Sequence, residues 1–298
     1  MRLDKEAAEA AIAEHLAKPL GISVAEAAWG VHETVTANMA QAATIHAIER
    51  ALDVTRFVML PIGGAGPVHA CGMAAKMSID RLICPTGAGV ASAVGMLSSA
   101  ISFEVARAAP MTAENMDFQR LAAMVEEMDA EASDLVTSAG VAAGTVTRRL
   151  SAMMRYVGQG YEIEAILAPE TIRAGDKQGL LKAFNEAYRR RYGRTEDMPV
   201  EILTWRLAVE GPRSGLGQSL LSRASDARQS PAPIGHRPAW FGQGFVDTPI
   251  HRRADLPNGV RIAGPAIIEE TESTTIVPPD FELTVDRALN LVLTRNRQ

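Results

Sequence analysis

Two glycine-rich turns, each set between a short apolar run and a small-residue segment, constrain this chain more than any other feature in it. The first apolar run, residues 57–60 (FVML), reads as a buried strand and leads into Gly63-Gly64-Ala65-Gly66-Pro67. Residues 68–77 follow with helical composition. The second run, residues 81–84, leads into Thr86-Gly87-Ala88-Gly89, and a second small-residue helix is expected over about 90–99. A unit of strand, glycine turn and helix thus occurs twice. Glycine accepts a positive φ and lets backbone N–H groups approach a ligand closely. A helix N-terminus behind such a turn adds unpaired N–H groups and a partial positive charge, a combination that binds phosphate and other anions. A plain strand-to-helix connection uses the same residues. The first turn is neither G-x-G-x-x-G nor a Walker A loop, since it lacks the G-K-[ST] ending that sets a lysine on a phosphate.

The segment from Gly63 to Ala70 (GGAGPVHA) resembles the signature of the hydantoinase A/5-oxoprolinase family, and further matches follow in the same order. They are residues 85–97 (PTGAGVASAVGML), 155–163 (RYVGQGYEI), 199–202 (PVEI) and 264–279 (GPAIIEETESTTIVPP). The family includes ATP-dependent hydantoinases, 5-oxoprolinases and subunits of acetone and acetophenone carboxylases, and its members resemble the actin/Hsp70/sugar-kinase (ASKHA) ATPases in fold. The resemblance implies an α/β fold, half of an actin-like ATPase lobe, and the series of short strands late in the sequence suggests that an α+β domain follows and ends in a small β-barrel or sandwich. It implies ATP and Mg as cofactors of the complete assembly. Gly63, Gly64, Ala65, Gly66, His69, Gly87 and Gly89 would contribute part of the nucleotide site.

One departure qualifies that resemblance. Full-length members carry further phosphate loops of the D-x-G-G-T type upstream, and no such motif occurs here. The sequence looks like the C-terminal half of the family pattern. Two partners are therefore expected: an N-terminal-half polypeptide carrying the D-x-G-G-T loops, and a hydantoinase-B-like subunit. The isolated chain is expected to have little ATPase activity, and no catalytic residue can be singled out. The substrate, whether hydantoin, 5-oxoproline or ketone, is not legible. A non-catalytic assembly module with a decayed nucleotide site is the alternative.

Composition excludes other classes. The 298 residues carry a formal net charge of −5, and no basic stretch is long enough for nucleic acid. No apolar run reaches a membrane-spanning length. Two cysteines, Cys71 and Cys84, make no disulfide framework and fit a reducing cytoplasm. Both are flanked by small and apolar residues, so buried thiols are expected.

The remaining chain is expected to divide into a partial ATPase lobe (1–110), a connecting helix (111–145) and a mostly β domain (146–298). A helix over 3–20 should stop at Gly21, and Ser23 with Glu26 forms a capping box for a long helix from Val24 to about Leu52. Val31, Val35, Met39, Ala42, Ile45, Ile48 and Leu52 recur at three- and four-residue spacings, which predicts a stripe facing a core. His32, Asn38 and His46 on this helix make no metal spacing. His69, in the first turn behind the glycine loop, could reach a bound phosphate, or be packed by its neighbours. Residues 118–139 read as an amphipathic helix, and 146–157 with 161–167 as two strands around Gly158-Gln159-Gly160. Residues 176–192 read as a helix stopped by Gly193, and 200–209 as a strand. A loop is expected over 214–238, then short strands to the end. Glu269, Glu270 and Glu272 could act as acid, base or metal ligands, or be solvated strand ends. Arg155, Gln159, Tyr161 and Glu162 cluster about one turn. No group of side chains reads as a metal site.

Overall fold

The structure is a computed structural model that describes residues 4–213 and 232–296. The chain opens with helix α1 (Lys5–Ile12), a π turn (Ala13–Ala17) and helix α2 (Lys18–Leu20), and stops at Gly21 with a left-handed φ of 67°. Helix α3 (Val24–Ile48) starts at the expected capping box: the Ser23 hydroxyl accepts from the Glu26 N–H, and the Glu26 carboxylate accepts from the Ser23 N–H. Then come α4 (Gly66–Lys76), β1 (Arg81–Cys84) and α5 (Ala91–Ser98). Next are β2 (Ser102–Thr112), α6 (Phe118–Ser138), β3 (Thr147–Tyr156), β4 (Ile163–Leu167), α7 (Pro169–Arg173), α8 (Lys177–Tyr192) and β5 (Val200–Glu210). The last stretch holds β6 (Gly235–Trp240), β7 (Phe245–Arg252), β8 (Arg261–Ala263), β9 (Ala266–Glu269), β10 (Thr274–Val277), β11 (Phe281–Val285) and β12 (Leu291–Arg295). Of the loop expected over 214–238, residues 214–231 lie outside the described residues, and Gly235 to Pro238 belong to a strand.

Two compact units result. One is continuous, Ser98–Gly215; the other joins Met1–Leu97 to Leu216–Gln298. This cuts the chain differently from the expected 1–110, 111–145 and 146–298 segments. The continuous unit is an antiparallel sheet in the order β2-β5-β3-β4. Its inner face carries Leu150, Met154, Tyr156, Ile202 and Trp205, all buried against Met128 of α6 and Phe184 of α8. Helix α6 is therefore part of this core rather than a connector. An extra residue, Leu203, shifts the β3–β5 register, so Ile202 and Trp205 point inward although three positions apart. The outer face is charged, with Arg149 Nη1 2.9 Å from Glu164 and Nη2 3.7 Å from Glu104.

The discontinuous unit has two four-stranded sheets, β1-β12-β11-β8 and β10-β9-β7-β6. In the second, β7 and β9 run parallel and the other pairs antiparallel. Among the described residues neither sheet closes into a barrel, which corrects that part of the expectation. Ala70, Cys71 and Ala74 of α4 share one core with Leu82, Ile268, Val277, Leu283 and Leu293 of the sheets.

Two expectations fail in this unit. Residues 57–60 form no buried strand: Met59 alone makes a parallel bridge, to Leu82, while Phe57, Val58 and Leu60 are exposed. Among the described residues the α3 stripe faces no core either. Val35 is 43% and Ile45 49% exposed, whereas Thr36 and Ala40 form the buried side. α3 packs against α4 through small residues, and Gly72 of α4 lies against the Thr36 methyl.

Candidate functional site

The two glycine turns lie side by side in the discontinuous unit. The Gly63 N–H donates to the Ala88 carbonyl at 2.8 Å, with φ of 88° at Gly63 and 70° at Gly87. Only glycine holds such angles without strain. Helix α4 begins at Gly66 with Ala65 as its N-cap, which supplies no side-chain cap. The amides of Gly64, Ala65, Gly66, Gly87 and Gly89 donate to no described residue. Five unpaired donors, three of them at one helix start, favour a negatively charged group.

The turn between β9 and β10 closes on this pair of turns. A Cβ at Gly64 would lie 3.3 Å from the Glu272 carbonyl oxygen, and a Cβ at Gly89 2.5 Å from it. Gly89 is required by backbone packing, apart from any ligand. The Thr86 hydroxyl donates to the Leu289 carbonyl at 3.2 Å, tying the second turn to the β11–β12 hairpin.

His69, in the first turn of α4, is oriented from α3. The Thr36 hydroxyl donates to the His32 carbonyl at 2.8 Å, and its oxygen lies 3.1 Å from His69 Nδ1. A hydroxyl that donates to this carbonyl leaves its oxygen to accept from His69 Nδ1–H, whereas one turned to His69 donates to a bare Nδ1. The His32 ring stacks on His69 at 4.6 Å and 17°, and on Trp29 at 5.2 Å. Burial lowers the basicity of His32, and the neighbouring His69 lowers it further. His32 and Trp29 also line a cavity of about 930 Å³, whose other walls include Ala8, Gly72, Trp240 and Phe245. None of the glycine-turn residues lines it.

The structure therefore brings Gly63, Gly64, Ala65, Gly66, Gly87 and Gly89 together, with His69 one helical turn behind. His32 and Thr36 are the partners that sequence reasoning left unassigned. Their four-residue spacing puts them on one side of α3, a signal that a residue-by-residue survey passes over. Asn38 and His46 are exposed and take no part.

The other candidates have structural duties. Glu270 pairs with Arg253, both side chains under 10% exposed, and the same guanidinium donates to the carbonyls of Cys84 (3.0 Å) and Leu289 (3.1 Å). Glu269 is half-buried and Glu272 exposed. Arg155 pairs with Glu201 at 2.8 Å, and Gln159 donates to the Tyr188 hydroxyl at 2.8 Å. Tyr161 is 85% exposed, so the four polar residues do not converge. Cys71 and Cys84 are buried, and burial pushes the Cys84 thiol up to about 11. Among the described residues no three His, Cys, Asp or Glu side chains gather as metal ligands. No described helix is long and apolar enough to cross a membrane.

Comparison with known proteins bears on the whole chain. Residues 1–105 match the Hydantoinase/oxoprolinase family, and residues 108–294 match the Hydantoinase/oxoprolinase C-terminal domain. The chain belongs to the hydantoinase/oxoprolinase family. An uncharacterized protein of Methanocaldococcus jannaschii is 30% identical over 288 residues, which is 96% of this chain and 40% of that protein. Caprolactamase subunit alpha of Pseudomonas jessenii is 26% identical over 305 residues, 99% of this chain and 43% of that subunit. The nucleotide-free structure of acetone carboxylase, an ATP-dependent enzyme, superposes with a TM-score of 0.75 at 25% identity, over 99% of this chain and 43% of that one. This hydantoinase/oxoprolinase chain thus spans about two fifths of the length of the curated relatives it matches.

Proposed function

We propose that this chain is one part of an ATP-dependent cyclic-amide hydrolase of the hydantoinase/5-oxoprolinase type, built on half of an actin-like lobe. In this reading Gly63 to Gly66, with Gly87 and Gly89, line the adenosine or ribose-phosphate side of a nucleotide. The observation that carries it is the cluster of five unpaired amides where two turns are hydrogen-bonded together. Such donors fit phosphate oxygens and tolerate the close approach of a nucleotide. ATP would supply the activation by phosphorylation, while this chain's amides bind and orient it. The Mg²⁺ carboxylates belong to the polypeptide with the D-x-G-G-T loops, and a hydantoinase-B-like subunit completes the assembly. Charge stabilisation in phosphoryl transfer depends on those parts. The likeness to acetone carboxylase supports a ketone as the alternative substrate.

One observation favours a non-catalytic module instead. The Glu272 carbonyl already packs against Gly64 and Gly89, so part of the space beside the bends is taken. Calorimetry with ATP separates the two readings. Binding by the chain with its D-x-G-G-T partner, weakened at least about tenfold in Gly64→Val, supports the nucleotide site. No heat with the partner present supports the assembly module.

A further inference from the structure

The cavity of about 930 Å³ lies wholly within the discontinuous unit and takes its walls from both of that unit's chain segments. One wall is α3, with Trp29 and His32. The facing wall is the β6–β7 hairpin, with Trp240 and Phe245. The walls meet at the hairpin tip, where a Cβ at Gly242 would lie 3.4 Å from the Trp29 ring. Trp29 stacks on His32, and Trp240 meets Phe245 edge-on with centroids 5.1 Å apart, so each wall is a pair of rings that hold one another. The volume falls within the range of about 300–1,000 Å³ that encloses a small molecule.

Charge narrows what can enter. Three carboxylates line the cavity, and each has a basic partner: Glu9 with Lys5 at 3.4 Å, Glu33 with Lys76 at 2.8 Å and Asp280 with Arg295 at 2.9 Å. Among the described residues Lys5 is the one cation on the lining, and Glu9 holds it. A phosphate or carboxylate would meet no free positive charge, and a cation no free negative one. One polar side chain on the lining is uncommitted. The ring nitrogens of His32 bond to no described residue, and neither is sealed from solvent. Burial holds His32 below its usual basicity, so at neutral pH the ring offers one N–H donor and one bare nitrogen.

We propose that this cavity binds an uncharged planar ring bearing a hydrogen-bonding group, held between the rings of α3 and those of the hairpin, with His32 meeting the polar group. A flat ring gains most from such walls, because aromatic faces and edges attract one another beyond the area they bury. A hydrocarbon of the same shape would strip water from the His32 nitrogens and give nothing back, so a ligand with a donor or an acceptor is favoured over it. No glycine-turn residue lines the cavity, so this site stands apart from the proposed nucleotide site and does not rest on it.

The chain supplies its own reporters. Of its three tryptophans, Trp29 and Trp240 line the cavity and Trp205 is buried in the other unit. The probe is oxindole, an uncharged bicyclic ring with one amide. Indane gives the same frame without a polar group, and indane-2-carboxylate and 2-aminoindane give it an anion and a cation. In nitrogen–proton spectra of the labelled full chain, oxindole should shift the indole signals of Trp29 and Trp240 and leave that of Trp205 in place. Indane and the two charged rings should bind at least about fivefold more weakly. His32→Phe keeps a ring against Trp29 but removes the nitrogens; it should weaken oxindole at least about fivefold and leave indane bound as before or tighter. Ala28→Phe, which places a ring on the lining, should abolish binding of both, with circular dichroism matching the unaltered chain. The proposal is overturned by no shift at millimolar oxindole, by an equal shift of Trp205, by tighter binding of a charged ring, or by oxindole binding that ignores His32→Phe.

Discussion

Single atoms decide what several glycines are for. A methyl at Gly89 would sit 2.5 Å from the Glu272 carbonyl oxygen, and one at Gly264 1.8 Å from the Pro278 carbonyl oxygen. Backbone cannot swing away as a side-chain tip can, so Gly89→Ala should lower stability by about 1–3 kcal/mol, an overpacking cost. Gly95→Ala, where nothing lies within 4 Å of the added atom, is the matched control. Denaturant melts of the two variants check this, and equal midpoints would refute the packing account. Arg253 offers a second case. Its guanidinium is buried against Glu270 and two carbonyls, so Glu270→Gln strips its one ion-pair partner among the described residues. A cost of about 3–5 kcal/mol is expected from the uncompensated buried charge.

At the scale of elements, helix α3 and strand β7 each carry a histidine whose charged form the fold disfavours. Burial is the main cause for His32 and for His251, with repulsion from His69 and His236 respectively adding to it. Both are lowered from 6.5, so the unfolded chain binds more protons than the folded one just below that value. Stability is thus fully present above pH 6.5 and is lost as pH falls through the folded values. Melting temperature should be flat from about pH 8 to 7 and fall as pH drops below 6.5, and His32→Gln should flatten part of that slope. In the continuous unit the weight rests on α6 against the sheet. Met128 is fully buried there, and Met128→Ala should cost about 2–5 kcal/mol by calorimetry.

For the whole molecule, the purified chain alone should turn over ATP at no more than background in a phosphate-release assay, because in the proposed reading the charges that stabilise phosphoryl transfer are supplied from outside this chain. Turnover by the chain alone would refute the division of labour proposed here. What the sequence by itself determined was local: the capping box at Ser23 and Glu26, the stops at Gly21 and Gly193, and the two glycine turns each followed by a helix. Such features rest on φ preferences and hydrogen bonds between residues close in the chain, so they can be read from neighbours. Tertiary structure alone decided that β12 pairs with β1 across two hundred residues, that Thr36 and His32 orient His69, and that Glu272 packs on Gly89. It also decided which side of α3 is covered. Periodicity identifies an apolar stripe but not the body that meets it, because burial depends on what the rest of the fold brings within contact distance.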